Sequence, residues 1–260
     1  MTRTRSRLPT DREPSHGTLT CEGGATIAYC QRQGKLPGVL FLGGFRSDMT
    51  GTKAMALDAQ TERTGRAFTR FDYRGHGTSS GCFEDHVLGD WIEDALRVLD
   101  RATEGPQVLV GSSMGAWIAV RAALARPERV AGLVTIAAAP DFTEDLIWAR
   151  LDETSRRLLS EQGRIERPSN YSDQPDVLTL RLIEEARRHL ILRAPITISC
   201  PVRLLHGSAD KDVPWQCSLA LFTRLQSGNR RLSLLKGGDH RLSEPAQIET
   251  MLGTVAELLG

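Results

Sequence analysis

At 260 residues, with 40% hydrophobic and 25% charged side chains, the chain is long enough to bury one large core and fits a single compact α/β unit. Its 33 Lys and Arg stand against 32 Asp and Glu, a formal charge of +1, so it lacks the basic field that phosphate-backbone binding draws on, and nucleic acid is not expected as a partner. No run approaches the ~20 apolar residues of a membrane span, and the five cysteines (Cys21, Cys30, Cys82, Cys200 and Cys217) form neither a C-x-x-C pair nor a zinc spacing.

Free thiols in a reducing compartment, and so a cytoplasmic location, are the expectation. Met1 to Arg12 carries Arg3, Arg5, Arg7 and Arg12 with Asp11 as the only acid, a composition shared with organelle presequences. It lacks apolar residues for an amphipathic face, and residues 1–16 are read as a disordered tail. Gly17 to Cys21 and Ala25 to Gln31 then flank Glu22-Gly23-Gly24, the pattern of an antiparallel hairpin at a sheet edge. Val39 to Leu42, Ala67 to Tyr73, Val108 to Val110, Val130 to Ala137 and Val202 to Leu205 are short apolar runs separated by helical stretches, as buried parallel strands would be. Asp90 and Glu93 resemble a capping box ahead of Trp91, Ile92, Ala95, Leu96 and Leu99; Ile248, Met251, Leu252, Val255 and Leu259 recur at helical spacing near the C-terminus.

The alternation breaks between 141 and 195. Two charge-rich helical patterns, about Glu144 to Gln162 and Asp176 to Leu192, are joined by Arg167-Pro168-Ser169-Asn170. This segment is read as a helical cap inserted into a core formed by 17–140 and 196–260. Leu146, Ile147, Leu151, Leu158, Leu178, Leu182 and Ile183 supply its packing face.

The chemistry centres on Gly111-Ser112-Ser113-Met114-Gly115, which follows an apolar strand and precedes the helical run Ala116 to Val120. Strand, glycine-flanked serine turn and helix in that order form the nucleophile elbow of a serine hydrolase, and the glycines admit a strained turn packed closely on its neighbours. Gly77-Thr78-Ser79-Ser80-Gly81 satisfies the same G-x-S-x-G pattern, but no apolar helix follows it. Ser113 is therefore the expected nucleophile. It needs a histidine base oriented by an acid, and in this fold these follow in the order serine, acid, histidine. Asp210, a few residues past the strand Val202 to Leu205, is the expected acid, with Asp212 and Asp141 as rivals. His240, in Gly237-Gly238-Asp239-His240-Arg241 after Leu232 to Leu235, is the expected base. His76, His86, His189 and His206 read as ordinary satisfied or solvated side chains. The backbone N–H groups of Met114 and of Phe45, in the Gly43-Gly44-Phe45 loop, are the expected oxyanion donors, worth ~3 to 4 kcal/mol each.

With these positions placed, the chain resembles α/β-hydrolases of the abhydrolase domain-containing protein 10 group. The resemblance runs from about Ile27 to the C-terminus. Its carriers are Ser47-Asp48-Met49, Gly51-Thr52-Lys53-Ala54, Arg70-Phe71-Asp72-Tyr73, Gly105-Pro106-Gln107, Cys200 to Gly207, Val213-Pro214-Trp215 and Asp239-His240-Arg241. It implies an α/β-hydrolase fold, a mostly parallel eight-stranded sheet with helices on both faces and a small cap. Members are known as palmitoyl-protein thioesterases and acyl-glucuronide esterases. The nucleophile, acid and base of the group fall on Ser113, Asp210 and His240; Gly43 and Ala116 depart from its usual proline and glycine. The missing presequence pattern points to a bacterial relative. The function expected is cofactor-independent hydrolysis of a small-molecule or acylated-protein ester or thioester. The alternatives are hydrolysis of carbon–carbon bonds by the same residues, or a non-catalytic binding protein on the same fold.

Overall fold

The computed structural model describes residues 13–167 and 175–260. Eight strands form one sheet: β1 (Ser15–Thr20), β2 (Thr26–Arg32), β3 (Lys35–Leu42), β4 (Arg66–Phe71), β5 (Gln107–Ser112), β6 (Val130–Ile136), and, after a two-stranded hairpin described below, β9 (Val202–Gly207) and β10 (Arg230–Leu235). Their spatial order is β1-β2-β4-β3-β5-β6-β9-β10. The first two pairings, β1 with β2 and β2 with β4, are antiparallel; all others are parallel. The expected eight-stranded, mostly parallel sheet is present.

Alternation along the central strands decides which helices cover which face. Val39 and Phe41 of β3, Val108 and Val110 of β5, and Val134 and Ile136 of β6 point to one side. There they pack with Ala54 and Leu57 of α1 (Thr52–Thr64) and Met251 and Val255 of α7 (Pro245–Leu259). Leu40 and Leu42, Leu109 and Leu133 point to the other side. They meet Trp91, Ala95, Val98 and Leu99 of α2 (Leu88–Arg101), Trp117 and Val120 of α3 (Met114–Ala125) and Leu221 of α6 (Gln216–Arg224). A period of two thus feeds two cores from one set of strands.

Three expectations shift in register. The sheet begins at Ser15, inside the stretch read as a tail, because β2 runs on to Arg32 and offers Gln31 and Cys30 as partners for Ser15 and His16; residues 1–12 lie outside the described part of the chain. The second helix starts at Leu88, not after Asp90: Asp90 sits in its first turn and accepts the Val87 N–H at 3.1 Å, so the carboxylate caps from inside the helix. Asp176 to Thr179 is a strand, β8, paired antiparallel with β7 (Arg164–Arg167), where a continuous helix from Asp176 was expected. The β-branched Val177 and Thr179 suit a pleated edge, and the Thr179 side chain then accepts the Leu182 N–H to open α5 (Leu180–Ala186). Of the expected connector, residues 168–170 lie outside the described part.

The other described elements of 141–195 are a π turn over Thr143–Ile147, a 3-10 turn over Trp148–Arg150, α4 (Glu153–Gln162), α5 and a second 3-10 turn over Arg187–His189. Leu178, Leu182 and Ile183 are buried with Leu159, whereas Leu158 is 37% exposed and turns outward. Asp141, at φ 54° and fully buried, ties the far end of this segment back to the core: its carboxylate accepts the N–H groups of Ile191 at 2.8 Å and Leu192 at 2.9 Å. Burial pushes its pKa up, against the pull of those two bonds and of Arg193. Asp141→Ala would leave two N–H groups without their acceptor and is expected to cost about 2 to 3 kcal/mol in urea unfolding. Arg193→Ala, removing a half-exposed guanidinium, is expected to cost less than about 1 kcal/mol.

Candidate active site

Strand β5 and helix α3 meet at Ser113, whose φ of 55° and ψ of −118° lie outside the ordinary regions for a residue with a side chain. The strain persists because its surroundings leave no alternative. The Ser113 N–H donates to Ile136 O at 2.9 Å, and its carbonyl accepts from Ala116 at 3.0 Å. A Cβ on Gly111 would lie 2.4 Å from Gly115 O, and one on Gly115 would lie 2.2 Å from Leu42 O and 2.4 Å from Gly43 O. Both glycines are thus required for helix, strand and loop to come this close.

The Ser113 hydroxyl lies 3.1 Å from Nε2 of His240, and Nδ1 of that ring lies 2.7 Å from Oδ2 of Asp210. Burial alone would raise the Asp210 pKa. Hydrogen bonds from His206, His240 and the Val213 N–H outweigh it and hold the carboxyl well below the usual carboxylate range. An ionised Asp210 only accepts, so Nδ1 of His240 carries the hydrogen and its Nε2 lone pair faces the serine hydroxyl. The Asp210 side chain is fully buried and that of His240 17% exposed, so the acid is shielded while the imidazole reaches the cavity.

The loop carrying His240 passes close over β9. A Cβ on Gly207 would lie 2.2 Å from Gly238 O, and Ala209 donates its N–H to Gly238 O at 2.9 Å. From the other side the Lys53 ammonium donates to Arg241 O at 2.5 Å; burial pushes its pKa down to about 8.

The loop after β3 lies against the elbow, with a Cβ on Gly44 falling 3.4 Å from Ser113 Cβ. It is clamped from below at Met49, whose N–H donates to Asp72 Oδ1 at 2.7 Å and whose carbonyl accepts from Arg70 at 2.9 Å. The other Asp72 oxygen accepts the Thr78 N–H at 2.8 Å. His76 accepts the Arg46 N–H at 3.2 Å through Nε2, beside the expected donor Phe45. The Phe45 ring itself stacks edge-on with Phe83, Trp91 and Phe142. Met114 opens α3, so its N–H has no acceptor within the helix.

A cavity of about 530 Å³ opens here, lined by Ser113, His240, Gly44, Phe45 and Lys53. Among the described residues of 141–195, only Asp176 reaches it, and Asp176 pairs with Arg46 at 3.3 Å.

The rivals separate cleanly. Ser79 donates to Asp72 O at 2.5 Å and accepts the Ala28 N–H at 2.8 Å, so it laces a loop to β2. Asp212 gives its backbone N–H to Asp210, and Asp141 is occupied by Ile191 and Leu192. Two histidines read as ordinary support the site: His76 under the loop after β3, and the fully buried His206, 3.1 Å from Asp210 Oδ2. Position His206, four residues before the acid at a strand end, was the available signal.

The model of the alpha/beta hydrolase family matches residues 39–250, and the chain belongs to that family. More narrowly, it belongs with the ABHD10 proteins. It is 41% identical over 234 residues, covering 90% of this chain and 78% of that protein, to palmitoyl-protein thioesterase ABHD10, mitochondrial, of Mus musculus. The Homo sapiens protein of the same name is 39% identical, with 90% and 76% covered. Among solved structures, mouse alpha/beta hydrolase domain-containing protein 10 aligns with a TM-score of 0.87 at 39% identity, over 94% of this chain and 98% of that one. A crystal structure from Agrobacterium vitis S4 aligns at 0.92, also 39% identical, over 96% and 100%. These relatives overturn the expected cytoplasmic location, since the ABHD10 proteins of mouse, cattle and human are named as mitochondrial. Cysteine usage had reported only a reducing compartment, which does not distinguish cytoplasm from organelle. Among the described residues no helix is long and apolar enough to cross a membrane.

Burial pushes the His76 pKa down to about 4, against an ordinary value of 6.5. Between those values the unfolded chain binds a proton that the folded chain refuses, so this group's contribution to stability falls as pH drops from about 6.5 to about 4. Asp94, pushed up to about 6 by burial against the pull of Arg74, acts in the opposite sense. The difference between wild type and His76→Gln isolates the histidine: in urea titrations across this window, wild type is expected to lose stability relative to the variant as pH falls.

Proposed function

We propose that this protein is a serine hydrolase that cleaves acyl thioesters and esters through an acyl-enzyme on Ser113, with His240 as general base and acid and Asp210 as its orienting acid. The observation that carries the reading is the unbroken hydrogen-bonded line from buried Asp210 through His240 to the strained Ser113. Ser113 Oγ attacks the acyl carbonyl while its proton passes to His240 Nε2, and the imidazolium that forms is stabilised by ionised Asp210. Negative charge gathers on the carbonyl oxygen between the N–H groups of Met114 and Phe45. The carbon–sulfur or carbon–oxygen bond breaks, and the leaving thiolate or alkoxide takes the proton from His240. Water then gives its proton to His240 and adds to the acyl carbon; collapse releases the carboxylic acid and returns the proton to Ser113.

The name of the ABHD10 relatives, palmitoyl-protein thioesterase, supports a fatty-acyl thioester as the substrate class. The described part of 141–195 acts as a cap over the core; Asp176, which lines the cavity and pairs with Arg46 of the loop after β3, supports that division.

Ser113→Ala is expected to lower kcat for acyl thioesters and p-nitrophenyl esters by at least about 1,000-fold. Ser79→Ala is expected to retain chemistry at Ser113 and lose stability. Equal hydrolysis by wild type and Ser113→Ala across a chain-length series of both substrate types would sink the proposal, as would activity confined to β-diketones.

A further inference from the structure

His206 is a fully buried titratable side chain at the site that the acyl-transfer scheme leaves without a task. An ionised carboxylate offers about four lone-pair sites, and those of Asp210 face four donors. Oδ1 takes the N–H groups of Asp212 at 3.0 Å and Val213 at 2.9 Å; Oδ2 takes Nδ1 of His240 at 2.7 Å and Nε2 of His206 at 3.1 Å. Nε2 of His206 also lies 3.0 Å from Val213 O, so both of its neighbours are acceptors and it carries a hydrogen shared between them. Nδ1 is then left to accept from the buried hydroxyl of Ser218 on α6, 2.7 Å away. The line of hydrogen bonds is thus Ser218, His206, Asp210, His240, Ser113. The ionisable groups that face Asp210 are His206, His240 and, from α6, Cys217; Asp212 meets it through its backbone.

Resting on the acyl-transfer reading above, we propose that His206 is a positioning residue for that reaction: it fixes the plane of the Asp210 carboxylate and draws off part of the charge on the oxygen that holds His240. Two consequences follow from simple electrostatics. Without the second donor on Oδ2, the carboxylate is held by the two N–H groups on Oδ1 and by His240 alone, so Oδ2 can pivot about Oδ1 and loosen the 2.7 Å contact with His240. The negative charge left on that oxygen also favours protonated His240 more strongly, which removes the free base needed to activate Ser113 and slows return of the proton to the leaving group.

The test uses the full-length protein and a fluorophosphonate probe, whose reaction at Ser113 needs His240 as base and requires no knowledge of the natural substrate. His206→Leu is expected to label at least about tenfold more slowly than wild type at neutral pH, with the acid limb of its rate–pH profile about 0.5 to 1 pH unit higher. His206→Gln, which keeps an N–H donor near the position of Nε2, is expected to lie within about threefold of wild type with the limb unmoved. Ser218→Ala removes the partner on Nδ1 and is expected to move rate and limb in the same direction as His206→Leu, by less. A folded His206→Leu with the wild-type rate and limb overturns the inference, as does His206→Gln slowed as much as His206→Leu with no shift of either limb. Should His206→Leu fail to fold, an unaltered Ser218→Ala profile overturns it. A wild type that does not label overturns the acyl-transfer reading as well, so the two failures are told apart.

Discussion

The constraint on which the site depends is a contact between backbones. The carbonyls of Leu42 and Gly43, at the end of β3, reach so close to Gly115 that a Cβ there would lie 2.2 Å and 2.4 Å from them. This approach places the loop after β3 beside the first turn of α3, so that the N–H groups of Phe45 and Met114 come from two elements far apart in sequence. It also sets the strain at Ser113: with the strand fixed in the sheet and the helix pressed against the strand end, a φ of 55° is the turn that joins them. Steric exclusion in a closely packed interior sets both, and at Ser113 the backbone bonds to Ile136 and from Ala116 hold the turn in place.

Polar contacts then hold what packing has brought together. Asp72 and Arg70, both at the end of β4, grip the N–H and the carbonyl of Met49, and Asp72 also holds Thr78. Ser47-Asp48-Met49 and Arg70-Phe71-Asp72-Tyr73 are two of the runs that carry the resemblance to the ABHD10 group. Their distance from Ser113 in sequence conceals a shared task, which is to keep one loop from moving relative to the elbow. His76 adds a third grip through Arg46, and its burial among Tyr73, Phe83 and Trp91 keeps it an acceptor rather than a cation.

Much of this was legible in the residues. The central strands announce themselves because each is buried on both faces, and such runs are continuous and apolar. Ser113 was separable from Ser79 because only the former had a strand before it and a helix after it. What was not legible depended on partners that periodicity does not encode. Asp176 to Thr179 becomes a strand because Arg164 to Arg167 lies beside it. Asp90 looked like a residue before a helix and is one inside it: from the third helical position its carboxylate reaches back to the Val87 N–H, whereas an N-cap carboxylate reaches forward into the first turn. His76 and His206 looked ordinary because burial and hydrogen bonding over long sequence distances set their roles.

The two imidazoles on Asp210 show how one carboxylate can serve both folding and chemistry. A buried charge is costly unless its lone pairs are filled, and Asp210 fills them from three directions: the turn Asp212–Val213, the strand residue His206 and the loop residue His240. Of the two imidazoles only His240 lines the cavity, and in the proposed reaction it is its bond to Asp210 that changes strength as a proton comes and goes. The other three donors hold the carboxylate ionised and oriented whatever His240 is doing. In the reaction proposed above, the acid therefore stays a fixed point of negative charge, and the proton moves between His240 Nε2 and the groups in the cavity instead of passing inward to Asp210.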